Sequence, residues 1–290
     1  MEWQPAIEAF LVEVKSRETS SMNTLHAYKN DLAQLVDHLS QIVSGEGAWA
    51  AVTIENLESY IAQMTIKGYS NATIARKLAA VKTFFRWLMD SGYTQTNPAQ
   101  RLASPKLTKQ PPHLLTQTEV AHLIASAGAA GQPRALRDQA LLSVLYSTGM
   151  RVSEVIRLKL SELDLENKRV FCRGRGQLQR HVPLTAQTVD HIANYLANGR
   201  NELIGSKPSD SVFLNPMGVG LTRQAVWMMI KHHAQTAKIT SVVTPHTLRH
   251  SRASHMVNSG EDPRRVREWL GHANLSTTQS YISKAVVSNQ

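Results

Sequence analysis

A single cysteine, Cys172, stands in the 290 residues, so no intrachain disulfide is possible. In the apolar run Val170-Phe171-Cys172 it reads as a packing residue rather than a reactive thiol. No uninterrupted apolar stretch approaches the roughly 20 residues that a bilayer span needs, so a membrane helix is not expected. Met1-Glu2-Trp3-Gln4-Pro5 has neither the basic region nor the apolar core of a signal peptide, and the expectation is a cytoplasmic protein with no membrane partner. The chain also lacks a Walker-type Gly-Lys-Ser/Thr. Gly174-Arg175-Gly176 is too short for a phosphate-binding glycine fingerprint. Internal repeats and low-complexity segments are missing too.

Acidic residues are scarce in one part of the chain. Residues 1–100 hold 8 Lys+Arg against 10 Asp+Glu, whereas residues 101–290 hold 24 against 12. The whole net charge of +10 therefore comes from the second part, which carries +12 against −2. A basic region without a membrane-type amphipathic cluster points to a nucleic-acid backbone as the large partner.

The first hundred residues read as helix. Ile7, Phe10, Leu11 and Val14 follow helical spacing. So do Leu25, Leu32, Leu35, Val36 and Leu39; then Ile54, Leu57, Ile61 and Met64; then Ile74, Leu78, Val81, Phe84, Phe85 and Leu88. This is a helical bundle over 1–98. Residues 99–115, with Pro105, Pro111 and Pro112 among Arg101, Lys106 and Lys109, read as an extended basic linker. Thr116-Gln117-Thr118-Glu119 is a capping box that opens a second domain over 116–290. Helices are expected there near 117–127, 135–148, 153–159, 186–198, 222–237, 245–258, 263–269 and 277–286. Strands are expected at 169–172 and 180–184, joined by a turn at 174–176, with another short one at 212–214.

The chemistry-bearing residues form two clusters. In Thr148-Gly149-Met150-Arg151, with Glu154 close behind, a helix ends at the glycine and another begins near Ser153, leaving Arg151 in a tight turn. In Thr244-Pro245-His246-Thr247-Leu248-Arg249-His250, the threonine is an N-cap and the proline the first helical residue. His246 and Arg249 then share one helical face, a pair suited to an oxyanion. Leu270-Gly271-His272 and Tyr281 follow. His250, four after His246, has metal-ligand spacing, but no cysteine or carboxylate accompanies it; a buried ring bonded to backbone is the expectation. Trp269 and Tyr146 read as core aromatics, and His232-His233 as solvent-facing. Arg173, Arg180 and Arg223 are open between phosphate contact and solvated charge.

Taken together, these motifs resemble the tyrosine recombinase (phage integrase) family, most closely its bacterial Xer-type members. That family places an arginine after a Thr-Gly turn, a lysine on a β-hairpin, a His-x-x-Arg helix, a Leu-Gly-His, and a tyrosine nine residues further on. The first part is similar to the family's core-binding domain in Asn23-Thr24-Leu25, Ala27-Tyr28, Phe84-Phe85, Trp87-Leu88 and Asn97-Pro98. The resemblance covers essentially the whole chain. It implies a mainly α fold with a small antiparallel sheet: a SAM-like core-binding bundle followed by an α+β catalytic domain.

The resemblance also implies a site of Arg151, Arg175, His246, Arg249, His272 and the nucleophile Tyr281, with Glu154 as an orienting carboxylate. Its chemistry is cleavage and rejoining of DNA through a 3′-phosphotyrosine, without metal, ATP or another cofactor. The implied partner is duplex DNA with a specific recombination site, bound by a homo- or hetero-tetramer with or without accessory proteins. One position departs from the pattern. The family's hairpin lysine, held to protonate the departing 5′ oxygen, is Arg175 here, and a guanidinium hardly gives up a proton. Two rival readings follow: a DNA-binding relative that does not cleave, and a type IB topoisomerase-like enzyme.

Overall fold

The structure, a computed structural model, describes residues 3–16, 22–43, 48–106, 113–174, 179–205 and 208–271. The chain forms two compact units, Met1–Gln110 and Pro111–Gln290.

In the first unit the four apolar stripes become α1 (Trp3–Ser16), α2 (Met22–Leu39), α3 (Ile54–Ile66) and α4 (Asn71–Asp90). Thr53 starts α3 with a reciprocal capping box to Asn56, and Ser70 caps α4 at Thr73. The residues at helical spacing meet in one core, in which Phe10, Leu32, Leu35, Leu78, Phe84 and Phe85 are fully buried. Asp31 is buried beside them and accepts from Lys77 Nζ at 2.8 Å and from the Arg76 guanidinium, so its charge is compensated. Asn97 caps a 3₁₀ turn at Pro98–Arg101, and Ala99 and Leu102 close the core. Packing thus continues past residue 98, into the stretch whose prolines and cations read as linker.

The second unit holds α5 (Gln117–Gly128), α6 (Pro133–Thr148), α7 (Val152–Val155), α8 (Ala186–Asn198), α9 (Arg200–Leu203), α10 (Arg223–Thr236), α11 (Pro245–Asn258) and α12 (Pro263–Leu270). A three-stranded antiparallel sheet, β1 (Leu163–Asp164), β2 (Arg169–Arg173) and β3 (Gln179–Pro183), runs in the order β1-β2-β3. Val170 pairs with Val182 and Phe171 with His181, so Val170, Cys172 and Val182 face the core. Buried α6 runs through the centre, with Leu141, Leu142, Val144 and Leu145 packed on all sides. The fold is the expected one, mainly helical with a small antiparallel sheet. Among the described residues no helix is long and apolar enough to cross a membrane.

Several local expectations differ from what is found. The helix expected over 153–159 is one turn. The Leu160 amide turns away to the Asp210 carbonyl and the Lys159 amide to the Glu162 carboxylate, so helical bonding stops. Val212-Phe213-Leu214 is buried as a strand would be, but it is flanked only by the single bridges Lys159–Ser211 and Leu214–Gly220. His233 is buried rather than solvent-facing. It lies on the inward stripe of α10 with Val226, Ile230 and Ala234, and its Nε2 is 3.0 Å from Asp138 Oδ2. Its neighbour His232 is exposed, as expected. The helix expected at 277–286 lies outside the described residues.

Candidate active site

The site grows from the end of α6. Gly149 takes the left-handed conformation at φ 60°, and a Cβ there would lie 2.5 Å from Leu270 Cδ2. Glycine is therefore required twice, by backbone conformation and by the approach of α12. The chain reverses, and Arg151 occupies the N-cap position of α7. Its amide donates to Glu154 Oε2 at 2.8 Å, and its Nη1 donates to Glu154 Oε1 at 3.1 Å. Its Nη2 reaches the Gly271 carbonyl at 3.0 Å. The Arg151 side chain stays 40% exposed while Glu154 is buried, so the carboxylate orients a guanidinium that keeps access to solvent.

α11 brings the second arginine. Thr244 and Thr247 form a capping box at its start, with Pro245 at the first turn. His246 is exposed on that turn, and its ring lies 6.3 Å from that of His250, which is partly buried. Arg249, one turn on, is buried. It donates to the Gly149 carbonyl and, at 2.7 Å, to the Leu270 carbonyl. Trp269 Nε1 donates to the Thr148 carbonyl at 3.0 Å, pinning α12 to the end of α6. The Arg252 guanidinium lies 5.7 Å from the ring centres of both Tyr146 and Trp269, the two aromatics read as core.

The structure thus brings together Arg151, Glu154, Arg249 and the carbonyls of Leu270 and Gly271, the two residues that precede His272 in the sequence. His246 stands on the same helix as Arg249. Arg175, His272 and Tyr281 lie outside the described residues. No cluster of metal-ligating residues is found among the described ones, His246 and His250 included.

Of the three arginines left open between phosphate contact and solvated charge, Arg173 pairs with Glu162, Arg223 is exposed, and Arg180 enters the site. It turns inward and donates to Glu154 Oε2 at 3.2 Å and to the Trp269 carbonyl at 2.9 Å. The signal was strand alternation: Arg180 shares the phase of buried Val182. Burial by itself would raise the Glu154 carboxyl. The Arg151 amide, the hydrogen bond and charge of Arg180, and the charge of Arg151 outweigh that, and it titrates below the usual carboxylate range. Burial and the neighbouring Glu154 push the Cys172 thiol up to about 12, consistent with a packed, inert cysteine.

Two arginines and a carboxylate are thus arranged around the carbonyls at the ends of α6 and α12. Residues 113–286 match the phage integrase family, and residues 7–92 match the phage integrase N-terminal SAM-like domain. Tyrosine recombinase XerC of Herpetosiphon aurantiacus is 37% identical over 278 residues, covering 96% of this chain and 90% of that protein. Tyrosine recombinase XerD of Proteus mirabilis is 39% identical over 280 residues, covering 96% and 88%. Among solved structures, XerH site-specific recombinase in a post-cleavage complex with palindromic difH substrate shares the fold. Its TM-score is 0.75 at 20% identity, covering 94% of this chain and 79% of that one.

The chain belongs to the phage integrase family of tyrosine recombinases, enzymes that cleave and rejoin DNA through a covalent tyrosine intermediate. Within that family it is Xer-like, and neither the non-cleaving reading nor the topoisomerase reading is favoured.

Proposed function

We propose that this Xer-like recombinase acts at a particular duplex DNA site, as a homo- or hetero-tetramer in the cytoplasm, in replicon resolution or in excision and integration of a mobile element. The observation that carries the reading is the convergence of Arg151 and Arg249, from separate elements, on the carbonyls of Gly271 and Leu270 beside His272. A carbonyl oxygen is the kind of acceptor that the two guanidiniums would exchange for the non-bridging oxygens of a phosphodiester.

In-line attack puts further negative charge on those oxygens. Arg151 and Arg249 stabilise it through charge-assisted bonds, and His272 adds another. The Tyr281 hydroxyl oxygen attacks phosphorus, and its proton passes to His246. The bond from phosphorus to the 5′ oxygen breaks, and that oxygen takes up a proton from water. Tyrosine is then joined to a 3′ phosphate. Attack by a 5′ hydroxyl of another strand reverses the step, so bond energy is conserved and neither ATP nor metal is consumed. Arg175 occupies the hairpin position of the family's lysine. A guanidinium hardly gives up its proton, so it serves better as a phosphate anchor than as a proton donor.

Covalent trapping tests this reading. Nicked suicide duplexes, drawn from a randomised pool and from the genomic neighbourhood of the coding sequence, are mixed with the protein, and SDS-resistant adducts are isolated. An adduct that disappears in Tyr281→Phe supports the assignment and gives the cleavage site. Specific binding without an adduct in wild type would move the reading to a regulatory DNA-binding protein. Relaxation of a plasmid of any sequence would move it to a topoisomerase.

A further inference from the structure

Arg180 is a cation that the proposed chemistry does not use, yet it is bound into the site at three points. Its side chain is only 16% exposed. Nε donates to the Trp269 carbonyl at 2.9 Å; Nη2 donates to Glu154 Oε2 at 3.2 Å and, more weakly, to the Leu270 carbonyl at 3.4 Å. Trp269 and Leu270 lie in the last turn of α12, where carbonyls have no partner inside the helix and the helix dipole is negative. Gly271 follows in the left-handed conformation, and a Cβ on it would lie 3.0 Å from Arg180 Nη1. The guanidinium therefore packs against the residue that immediately precedes His272.

Both elements that Arg180 joins bear on the proposed clamp. Glu154 holds the amide and the guanidinium of Arg151. The end of α12 accepts from Arg151 and Arg249 and leads into His272. We propose that Arg180 is a positioning residue for strand cleavage: it ties Glu154 to the carbonyl end of α12, and so sets Arg151 and the chain entering His272 in one geometry. This inference rests on the recombinase reading of the site. Direct phosphate binding by Arg180 is the competing role. The geometry disfavours it, because Nε and Nη2 are committed to protein oxygens and the side chain is mostly covered. A planar fork suits three acceptors held at fixed angles, whereas a lysine ammonium would replace the charge without that geometry.

The charged or titratable groups bearing on Glu154 are Arg151 at the start of α7, Arg180 from β3 and the Cys172 thiol from β2. Removing Arg180 subtracts a contribution that keeps the carboxyl ionised, while the opposing effect of burial remains. Glu154 then takes its proton at higher pH. Once neutral, it no longer holds Arg151 by charge.

The test uses the full chain as wild type, Arg180→Met, Arg180→Lys and Tyr281→Phe on the nicked suicide duplex, across a pH series at saturating protein. DNA affinity is measured in parallel. Arg180→Met is expected to bind DNA within about threefold of wild type and to form adduct on the order of 100-fold more slowly, the loss that slight misplacement of reacting groups brings. Its loss of rate toward acid should begin at higher pH than in wild type. Arg180→Lys should recover about tenfold of the rate, with an intermediate acid limb. Wild-type rate and acid limb in Arg180→Met would overturn the inference. So would a defect confined to affinity, with the saturated rate intact, which would mark a phosphate contact. If circular dichroism shows Arg180→Met unfolded, the acid limb of folded Arg180→Lys decides: shifted upward it supports the role, unshifted it overturns it. Absence of adduct with wild type sinks the recombinase reading itself, whereas a wild-type adduct with indifferent Arg180 variants sinks only the positioning role.

Discussion

The departure at Arg175 has a consequence that separates binding from proton donation. An alkoxide is a poor leaving group, so a cleaving enzyme gains rate from an acid near the 5′ oxygen. Arginine holds its proton at any ordinary pH, whereas lysine can be tuned to give one up. Arg175→Lys is therefore expected to raise the single-turnover cleavage rate by about 100-fold, the lower end of what general acid catalysis contributes. A substrate with sulfur at the bridging 5′ position should narrow the gap between the two proteins, because a thiolate leaves without a proton. Equal rates on ordinary oxygen DNA would mean that the proton arrives from another group. Gly149 makes a separate claim about geometry. A side chain there meets both a left-handed backbone and the Leu270 methyl group. Gly149→Ala is expected to cost about 1–3 kcal/mol in urea unfolding, and to slow cleavage beyond that loss, since the turn also sets Arg151.

At the scale of elements, caps and stripes carry most of what could be read in advance. The capping box at Thr116 and the N-cap Thr244 with Pro245 mark the starts of α5 and α11, and the stripes of the four-helix bundle lead to its core. Three features resisted for identifiable reasons. β1 is two residues long and has no period to detect. The end of α7 is decided by the distant Asp210 carbonyl, and the inward turn of Arg180 is fixed by carbonyls nearly ninety positions away in sequence. His233 was legible from its phase on α10, but a polar residue invites the opposite reading until its partner is seen. That partner, Asp138, also holds Arg137 at 2.8 Å, so Asp138→Ala takes the counter-charge from buried Arg137, which keeps its bond to the Leu214 carbonyl, and the partner from His233 Nε2. The expected cost is about 3–5 kcal/mol, measured by chemical denaturation. Caps allow a matched comparison. Thr116→Ala and Thr244→Ala should each lose about 1 kcal/mol of stability. Only the second is expected to reduce cleavage appreciably, because α11 carries His246 and Arg249 while α5 carries no proposed site residue. Equal activity in both would mean that α11 is held by its packing alone.

At the scale of the molecule, the +12 charge of residues 101–290 sets how the protein should meet DNA. Each phosphate neutralised releases condensed counterions, so affinity falls steeply with salt. For about six phosphate contacts, affinity is expected to drop on the order of 10³-fold between roughly 50 and 200 mM salt. The slope of that dependence also sorts individual arginines. Arg223 opens α10 and is exposed, so it is free to reach a backbone phosphate. Arg180 is equally basic but bound inward. Arg223→Gln should flatten the slope of log affinity against log salt by about 0.9, the value of one contact, with little effect on the saturated cleavage rate. Arg180→Met should leave the slope unchanged and slow cleavage instead. The reverse pattern would exchange their roles. An unchanged slope in both would assign the charge of Arg223 to solvent and leave the phosphate contacts to other cations of the basic half. Two residues of one type, in one basic stretch, thus differ in function because one is fixed to helix-end carbonyls and the other is not.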